Sequence, residues 1–188
     1  MTGVVVLVMI VAVLIGVWYS RQQRSYQSGI SQQLKNENTM GNTTLTSTAF
    51  GHNASIPKEY TCQGKDENPP LAISGVPADA KSLVLVIDDP DAPVGVWDHW
   101  VVWNIAPDTA EVAAHSVPAG AVQGRNSSGE NKYQGPCPPF GTHRYRFTIY
   151  AISDVLSLAP GSSKQEVLTV IANKILDQYT LVGLYKKS

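Results

Sequence analysis

The stretch that most constrains the fold spans residues 82–105 and reads SLVLVIDDPDAPVGVWDHWVVWNI. It opens with an unbroken aliphatic run, residues 83–87, which is typical of a strand that is covered on both faces. Three carboxylates and two prolines follow, and proline fixes φ and removes a backbone donor, so a rigid acidic turn is predicted. The chain then resumes as a second strand at residues 98–105, so most polar groups of the stretch lie at the turn and the strand ends.

Side-chain alternation orients this second strand. It predicts that His99 faces the same way as Val101, Trp103 and Ile105, with Trp100, Val102 and Asn104 on the opposite face. His99 therefore begins a strand on the side of apolar neighbours.

A second block of sequence, GPCPPFGTHRYRFTIYAI, spans residues 135–152 and is predicted to become a strand at His143. Alternation sends His143, Tyr145 and Phe147 to one face and Arg144 to the other. Two readings fit this pattern. Either Tyr145 simply packs and His143 caps the start of the strand, or the two residues form the polar mouth of a core face.

The two blocks together resemble a known family. DPDAP followed by DHWVVWNI resembles the signature of the phosphatidylethanolamine-binding protein family, and GPCPPFGTHRYRFTIYAI is similar to its second motif. With a YTC stretch, a PPL stretch and the TLVGLY ending, the likeness covers roughly residues 45–186, which is the length of a domain. It is greatest to the bacterial and archaeal branch, often called Raf kinase inhibitor-like.

The resemblance implies a Greek-key β fold in which both motifs meet at one small pocket. It implies that seven residues form the site: Asp89, Asp91, Pro93, His99, Pro138, His143 and Tyr145. The turn between Pro139 and His143 is shorter than in eukaryotic members, so their ligand preference does not carry over to this chain.

The chemistry of those residues favours anion binding. Carboxylates beside imidazoles are expected to raise the histidine pKa, and a protonated histidine with backbone N–H groups holds a phosphate through charge-assisted hydrogen bonds. The carboxylates accept from an ammonium or hydroxyl group. We therefore predict a non-enzymatic module that binds a small phosphate-bearing or zwitterionic head group, without a metal or cofactor.

Three other functions use the same residues. A metal site lacks a recognised ligand spacing, and a hydrolase lacks an activated nucleophile, because no G-x-S-x-G motif is present and Cys137 lies in a proline-rich turn. An inhibitor of a kinase or protease remains an alternative, with an unidentified protein target. The net charge of −1 gives no electrostatic case for nucleic acid.

The N-terminal segment at residues 3–19 is uncharged and almost wholly aliphatic, and about 17 residues is the short end of a transmembrane helix. It lacks the basic region and cleavage site of a signal peptide. We predict an anchor or signal-anchor at residues 1–20, a flexible polar linker at 21–44 and the folded domain at 45–188. The predicted localisation is single-pass and membrane-anchored. The arginines after the apolar run favour a cytoplasmic domain and the cysteines favour an extracytoplasmic one, which we prefer.

The chain has two cysteines, Cys62 and Cys137, each in a proline-rich loop. In an oxidising compartment they are expected to form a disulfide, whereas in the cytoplasm they would be buried thiols. The segment that precedes the domain favours the disulfide.

The C-terminal region predicts one helix. Ser163 and Glu166 have the spacing of a capping box, and apolar residues continue at helical spacing until the helix ends near Thr180. A single helix among short strands with proline- and glycine-rich connections predicts an all-β, antiparallel two-sheet Greek-key sandwich with a C-terminal peripheral helix. With the anchor, this fold is preceded by an N-terminal transmembrane helix.

Overall fold

The computed structural model describes residues 41–187 of the 188-residue chain. These residues form nine strands and one α-helix, with a short 3-10 turn at Lys58–Tyr60. The strands are β1 (Thr44–Thr46), β2 (Ala54–Ser55), β3 (Leu71–Ser74), β4 (Ser82–Asp89), β5 (Trp97–Ile105), β6 (Glu111–Val112), β7 (Val122–Gln123), β8 (Thr142–Ile152) and β9 (Ile175–Lys186). The helix, α1, is Lys164–Ile171.

The strands form two sheets. One sheet has six strands in the order β2-β9-β8-β4-β5-β7, and the other has three in the order β1-β3-β6. All pairs are antiparallel except β2 with β9, which is parallel. The two sheets and the single helix agree with the predicted family fold.

Strand β4 lies at the centre of the large sheet and is buried along its whole length, as the aliphatic run predicts. Leu83, Leu85 and Ile87 pack into the main core with residues of the small sheet. Val84 and Val86 point the other way and pack into a second cluster, which includes residues of α1. Burial on both faces explains why this strand has no polar residue between Ser82 and Asp88.

Strand β5 departs from the predicted alternation because it contains two irregularities. Ile87 pairs with Trp100 while Asp88 pairs with Asp98, so His99 is an extra residue opposite β4. Val101 and Trp103 consequently face the helix, whereas Trp100 lies in the main core and His99 packs against Tyr145, also of that core. The prediction that His99 shares a face with Val101 and Trp103 is therefore wrong.

The predicted helix begins correctly and ends too late. Ser163 caps α1 with both hydrogen bonds of the capping box to Glu166, but the helix stops at Ile171. Tyr179 belongs instead to β9, which pairs antiparallel with β8.

The transmembrane part of the predicted fold class and localisation requires correction. Among residues 41–187 no helix has the length and apolar character that crossing a membrane requires. The predicted anchor at 1–20 and most of the linker lie outside the described residues. Residues 41–187 therefore form the two-sheet domain with one helix, and the predicted transmembrane part of the fold class and the single-pass anchored localisation are not supported.

Candidate functional site: a pocket at the ends of three strands

A cavity of about 230 Å³ lies where β4 ends and where β5 and β8 begin. These ends meet because β4 runs antiparallel to both neighbours. The loop before β8 closes the remaining side. The lining residues are Asp89, Ala92, Pro93, Val94, Trp97, His99, Gln134, Gly135, Cys137, Pro139, His143 and Tyr145.

A buried carboxylate and imidazole form the polar centre of the cavity. His143 donates its Nδ1–H to Asp89 Oδ2 across 2.7 Å, and the side chains of both residues are about 95% buried. The other oxygen of Asp89 accepts the backbone N–H of Asp91 at 2.8 Å. The Nδ1–H of His143 is thereby committed, and the ring has Nε2 left for a ligand.

His99 is held by a backbone group. Its Nδ1 lies 2.6 Å from the carbonyl oxygen of Gln134, and because a carbonyl only accepts, Nδ1 carries the proton. Burial lowers the pKa of His99 and outweighs the carbonyl bond and the nearby Asp89 charge, which both raise it. The expected rise in pKa is therefore wrong for this histidine, which is neutral near pH 7 and offers Nε2 as an acceptor.

Tyr145 contributes a hydroxyl group to the pocket. Its side chain is fully buried, its ring contacts that of His99 edge-on at 5.2 Å, and its hydroxyl makes no hydrogen bond of good geometry within residues 41–187. Burial raises the pKa of the phenol well above its usual value and outweighs a poorly aligned contact from the backbone N–H of Cys137, which lowers it, so the hydroxyl keeps its proton. It is an unused donor beside the cavity.

Two predicted site residues do not line the cavity. Asp91 turns towards Arg144, which donates to it from the backbone N–H at 2.9 Å, from Nε at 2.9 Å and from Nη2 at 2.6 Å. This guanidinium lowers the pKa of Asp91 to about 2. Pro138 is buried behind the wall, and Pro139 lines the cavity in its place.

The predicted disulfide between Cys62 and Cys137 is formed, with 5.5 Å between the Cα atoms. It ties the wall of the pocket to the loop after the 3-10 turn, where Cys62 also donates its backbone N–H to Pro136. At the neighbouring Gly135 a Cβ atom would come within 3 Å of Tyr60 and Thr61 backbone atoms, so this close approach requires glycine.

The chain matches the profile of a known protein family. The profile of the family described as phosphatidylethanolamine-binding protein matches residues 46–186. The chain belongs to the phosphatidylethanolamine-binding protein family.

Curated relatives come from archaea and bacteria. A UPF0098 protein of Methanothermobacter thermautotrophicus is 48% identical over 148 residues, which are 76% of this chain and 98% of the relative. A UPF0098 protein of Chlamydia trachomatis is 44% identical over 148 residues, again 76% of this chain and 98% of the relative. These relatives are not named as enzymes, and the family member described here is of the bacterial and archaeal type.

Solved structures share the fold. A crystal structure of a phosphatidylethanolamine-binding protein homolog from Chlamydia trachomatis superposes with a TM-score of 0.76 at 42% identity, covering 79% of this chain and 99% of that one. E. coli YbcL, described as a member of the mammalian family, gives 0.73 at 27% identity, covering 78% and 99%. The matched region makes up nearly all of each of those two chains, so each of them consists almost entirely of this domain.

The structure brings together five of the seven residues that the family resemblance implies: Asp89, Pro93, His99, His143 and Tyr145. Sequence reasoning missed Gln134, whose carbonyl oxygen fixes the His99 ring and whose side-chain oxygen accepts from Trp97 Nε1 at 3.1 Å and Ser128 Oγ at 2.9 Å. The sequence signal that could have found Gln134 is its position directly before the second block, residues 135–152. Nothing in its side chain distinguishes it from a solvent-exposed glutamine.

Proposed function

We propose that this family member is a non-enzymatic binding module whose pocket takes a small phosphate-bearing or zwitterionic head group. The family fold supports a binding module in general. The observation that carries the narrower proposal is the Tyr145 hydroxyl, a buried donor without a good partner, in the same lining as the Asp89–His143 pair. A buried donor left unpaired is costly, and a ligand oxygen would remove that cost.

The polar groups suit a ligand that carries both charges. Tyr145 donates to an anionic oxygen, as a protonated phenol can do without losing its proton. Asp89 and the free Nε2 of His99 accept from an ammonium or hydroxyl group. Donor and acceptor groups in one small cavity therefore match a phosphate linked to an amine or alcohol.

The size of the cavity favours a head group over a larger molecule. Its volume of about 230 Å³ is below the range of roughly 300–1,000 Å³ that is usual for drug-sized ligands. Ala92, Pro93, Val94 and Trp97 supply apolar walls, which suit the methylene groups of such a ligand. An acyl chain would remain outside.

The lining also argues against a hydrolase with a serine, threonine or cysteine nucleophile. It contains no serine or threonine, and its cysteine, Cys137, is in the disulfide. Asp89 and His143 could activate water as a general base.

One observation favours a second function, inhibition of a kinase or protease by surface contact. Val94 lines the cavity with 78% of its surface exposed, and Phe140, 70% exposed, has its ring 6.4 Å from that of the lining residue His143. Exposed large apolar side chains around a pocket are typical of a protein contact surface. This function would depend on the rim rather than on the pocket.

The test is a calorimetric and phosphorus NMR titration of a fragment that starts at Gly41, with phosphoethanolamine and with inorganic phosphate. We expect saturable binding that is lost in His143→Gln and kept in His52→Gln, a matched change at an exposed histidine that lies outside the cavity lining. If the folded wild type binds neither compound, the head-group proposal is wrong. Retention of a biological effect in His143→Gln and its loss in Phe140→Ser would favour the contact function.

A further inference from the structure

A cluster of four charged side chains lies directly behind the pocket. Asp88 and Asp89 are consecutive in β4, so their side chains point to opposite faces of the sheet. Asp89 faces the cavity, whereas Asp88 accepts from Arg146 Nε at 2.7 Å and Nη2 at 2.9 Å and from Lys164 Nζ at 3.0 Å. The side chain of Asp88 is only 9% exposed and that of Lys164 only 16%.

Lys164 also forms an ion pair with Asp98. Asp88 and Asp98 are direct partners across β4 and β5, and like charges in that position repel each other. The ammonium group of Lys164 contacts both carboxylates, which offsets this repulsion. In the described contacts Arg146 bonds to Asp88 and not to Asp98, so it does not bridge the two strands.

Asp88 and Asp98, which Lys164 bridges, pair immediately next to the bulge that orients His99. The extra residue of β5 comes immediately after Asp98, and this residue is His99 itself. A bulge leaves one residue unpaired and locally disrupts the ladder of hydrogen bonds. At this step the bridge between Asp88 and Asp98 joins the two strands through side chains, and Asp98 and His99 also accept backbone N–H groups from Ser127 and Gln134.

We propose that Lys164 is a positioning residue for the pocket, and that its bridge between Asp88 and Asp98 fixes the β5 bulge that directs His99 into the cavity. A lysine that served only to attach the helix would be redundant here, because Val167 and Ile171 are fully buried in the second cluster and already attach α1. In the test, the affinity measurement rests on the proposed function, whereas the NMR measurement on ligand-free protein does not.

The test compares four variants of the fragment that starts at Gly41. Lys164→Gln removes the bridge, Lys164→Arg preserves it, and Lys164→Gln with Asp98→Asn removes both the cation and the repulsion. Lys174→Gln is the control, since it makes the same charge change in an ion pair with Asp154 that lies at the other end of the sheet. Affinity for phosphoethanolamine is measured by calorimetry, and the Nδ1–H signal of His99 is followed by NMR in ligand-free protein.

We expect Lys164→Gln to bind about ten-fold more weakly, in line with the cost of stripping a partner from buried charges, and to lose the protected Nδ1–H signal. Lys164→Arg and the double variant should recover most of both, and Lys174→Gln should change neither. Wild-type affinity and an unchanged His99 signal in Lys164→Gln would overturn the inference. If Lys164→Gln does not fold, an unperturbed His99 signal in Lys164→Arg and the double variant supports it, and a lost signal in both overturns it.

Failure of the proposed function gives a different pattern. If wild-type protein binds neither phosphoethanolamine nor inorganic phosphate, the head-group proposal fails. The His99 signal of the ligand-free variants then decides the role of Lys164 by itself.

Discussion

Replacing Tyr145 by phenylalanine should stabilise the ligand-free domain and weaken ligand binding at the same time. The change removes one oxygen atom from a side chain that is fully buried and whose hydroxyl has no hydrogen bond of good geometry in the described residues. Leaving a buried polar group unsatisfied costs about 1–3 kcal/mol. Removing that group should therefore raise the free energy of unfolding by about 1 kcal/mol, after some loss of packing.

Tyr133→Phe is the matched control. Its hydroxyl is also buried, but it donates to the carbonyl oxygen of Tyr60 at 2.8 Å. Removing this donor leaves the carbonyl without that bond, so we expect a loss of about 1–2 kcal/mol. The same chemical change should thus have opposite signs at Tyr145 and Tyr133.

The assay is urea unfolding of both variants and wild type, followed by titration with phosphoethanolamine. A hydrogen bond to a charged partner contributes about 1.5–3 kcal/mol, so Tyr145→Phe should bind at least roughly ten-fold more weakly. If Tyr145→Phe destabilises the ligand-free domain as much as Tyr133→Phe does, the hydroxyl already has a partner and the reasoning is refuted.

Three further results are expected. Replacing Cys62 and Cys137 by alanine should lower the free energy of unfolding, measured with guanidinium, by about 2–4 kcal/mol. Loop closure over a sequence separation of 75 gives an upper value of about 4.5 kcal/mol, and a loss below about 1 kcal/mol would contradict the prediction. The pKa of Asp91 is lowered to about 2, so its ion pair with Arg144 should stabilise the domain above pH 4 and cease to do so as the pH falls towards 2. The melting temperatures of Asp91→Asn and wild type should therefore converge at low pH, and a difference in melting temperature that stays constant with pH would refute the prediction. Because the folded-state pKa of His99 is lowered, its contribution to stability should be complete above about pH 6.5 and should fall under more acidic conditions. A titration midpoint of His99 above about pH 6.5, measured by NMR in the folded protein, would show that its pKa is not lowered.

The parts of the fold that sequence reasoning predicted correctly are those with one dominant local pattern. The aliphatic run of β4 could only be a strand buried on both faces, and the alternation of β8 correctly sends His143 and Tyr145 to the core side. The capping box at Ser163 is a local hydrogen-bond pattern, so it was visible in four residues. The family motifs supplied most of the pocket.

The errors fall where long-range pairing overrides the local pattern. Tyr179 suits the helical period, but it also alternates with Leu181 and Tyr185, and pairing with β8 along the whole of β9 decides for the strand. The extra residue in β5 inverts the predicted face of the following side chains, and nothing in the sequence at His99 marks it. Asp91 does not line the cavity, because its partner Arg144 follows His143 in β8 and lies on the opposite face of the strand from the imidazole.

The two walls of the pocket differ in how they should open. Asp89 ends a strand whose backbone is hydrogen-bonded on both sides and buried on both faces, so amide hydrogens there should exchange only when the whole domain unfolds. The opposite wall, residues 134–139, belongs to no strand and depends on the disulfide and a few isolated hydrogen bonds. Substitutions in this loop, other than at Gly135 and Cys137, should therefore reshape the entrance of the pocket with little change in the free energy of unfolding.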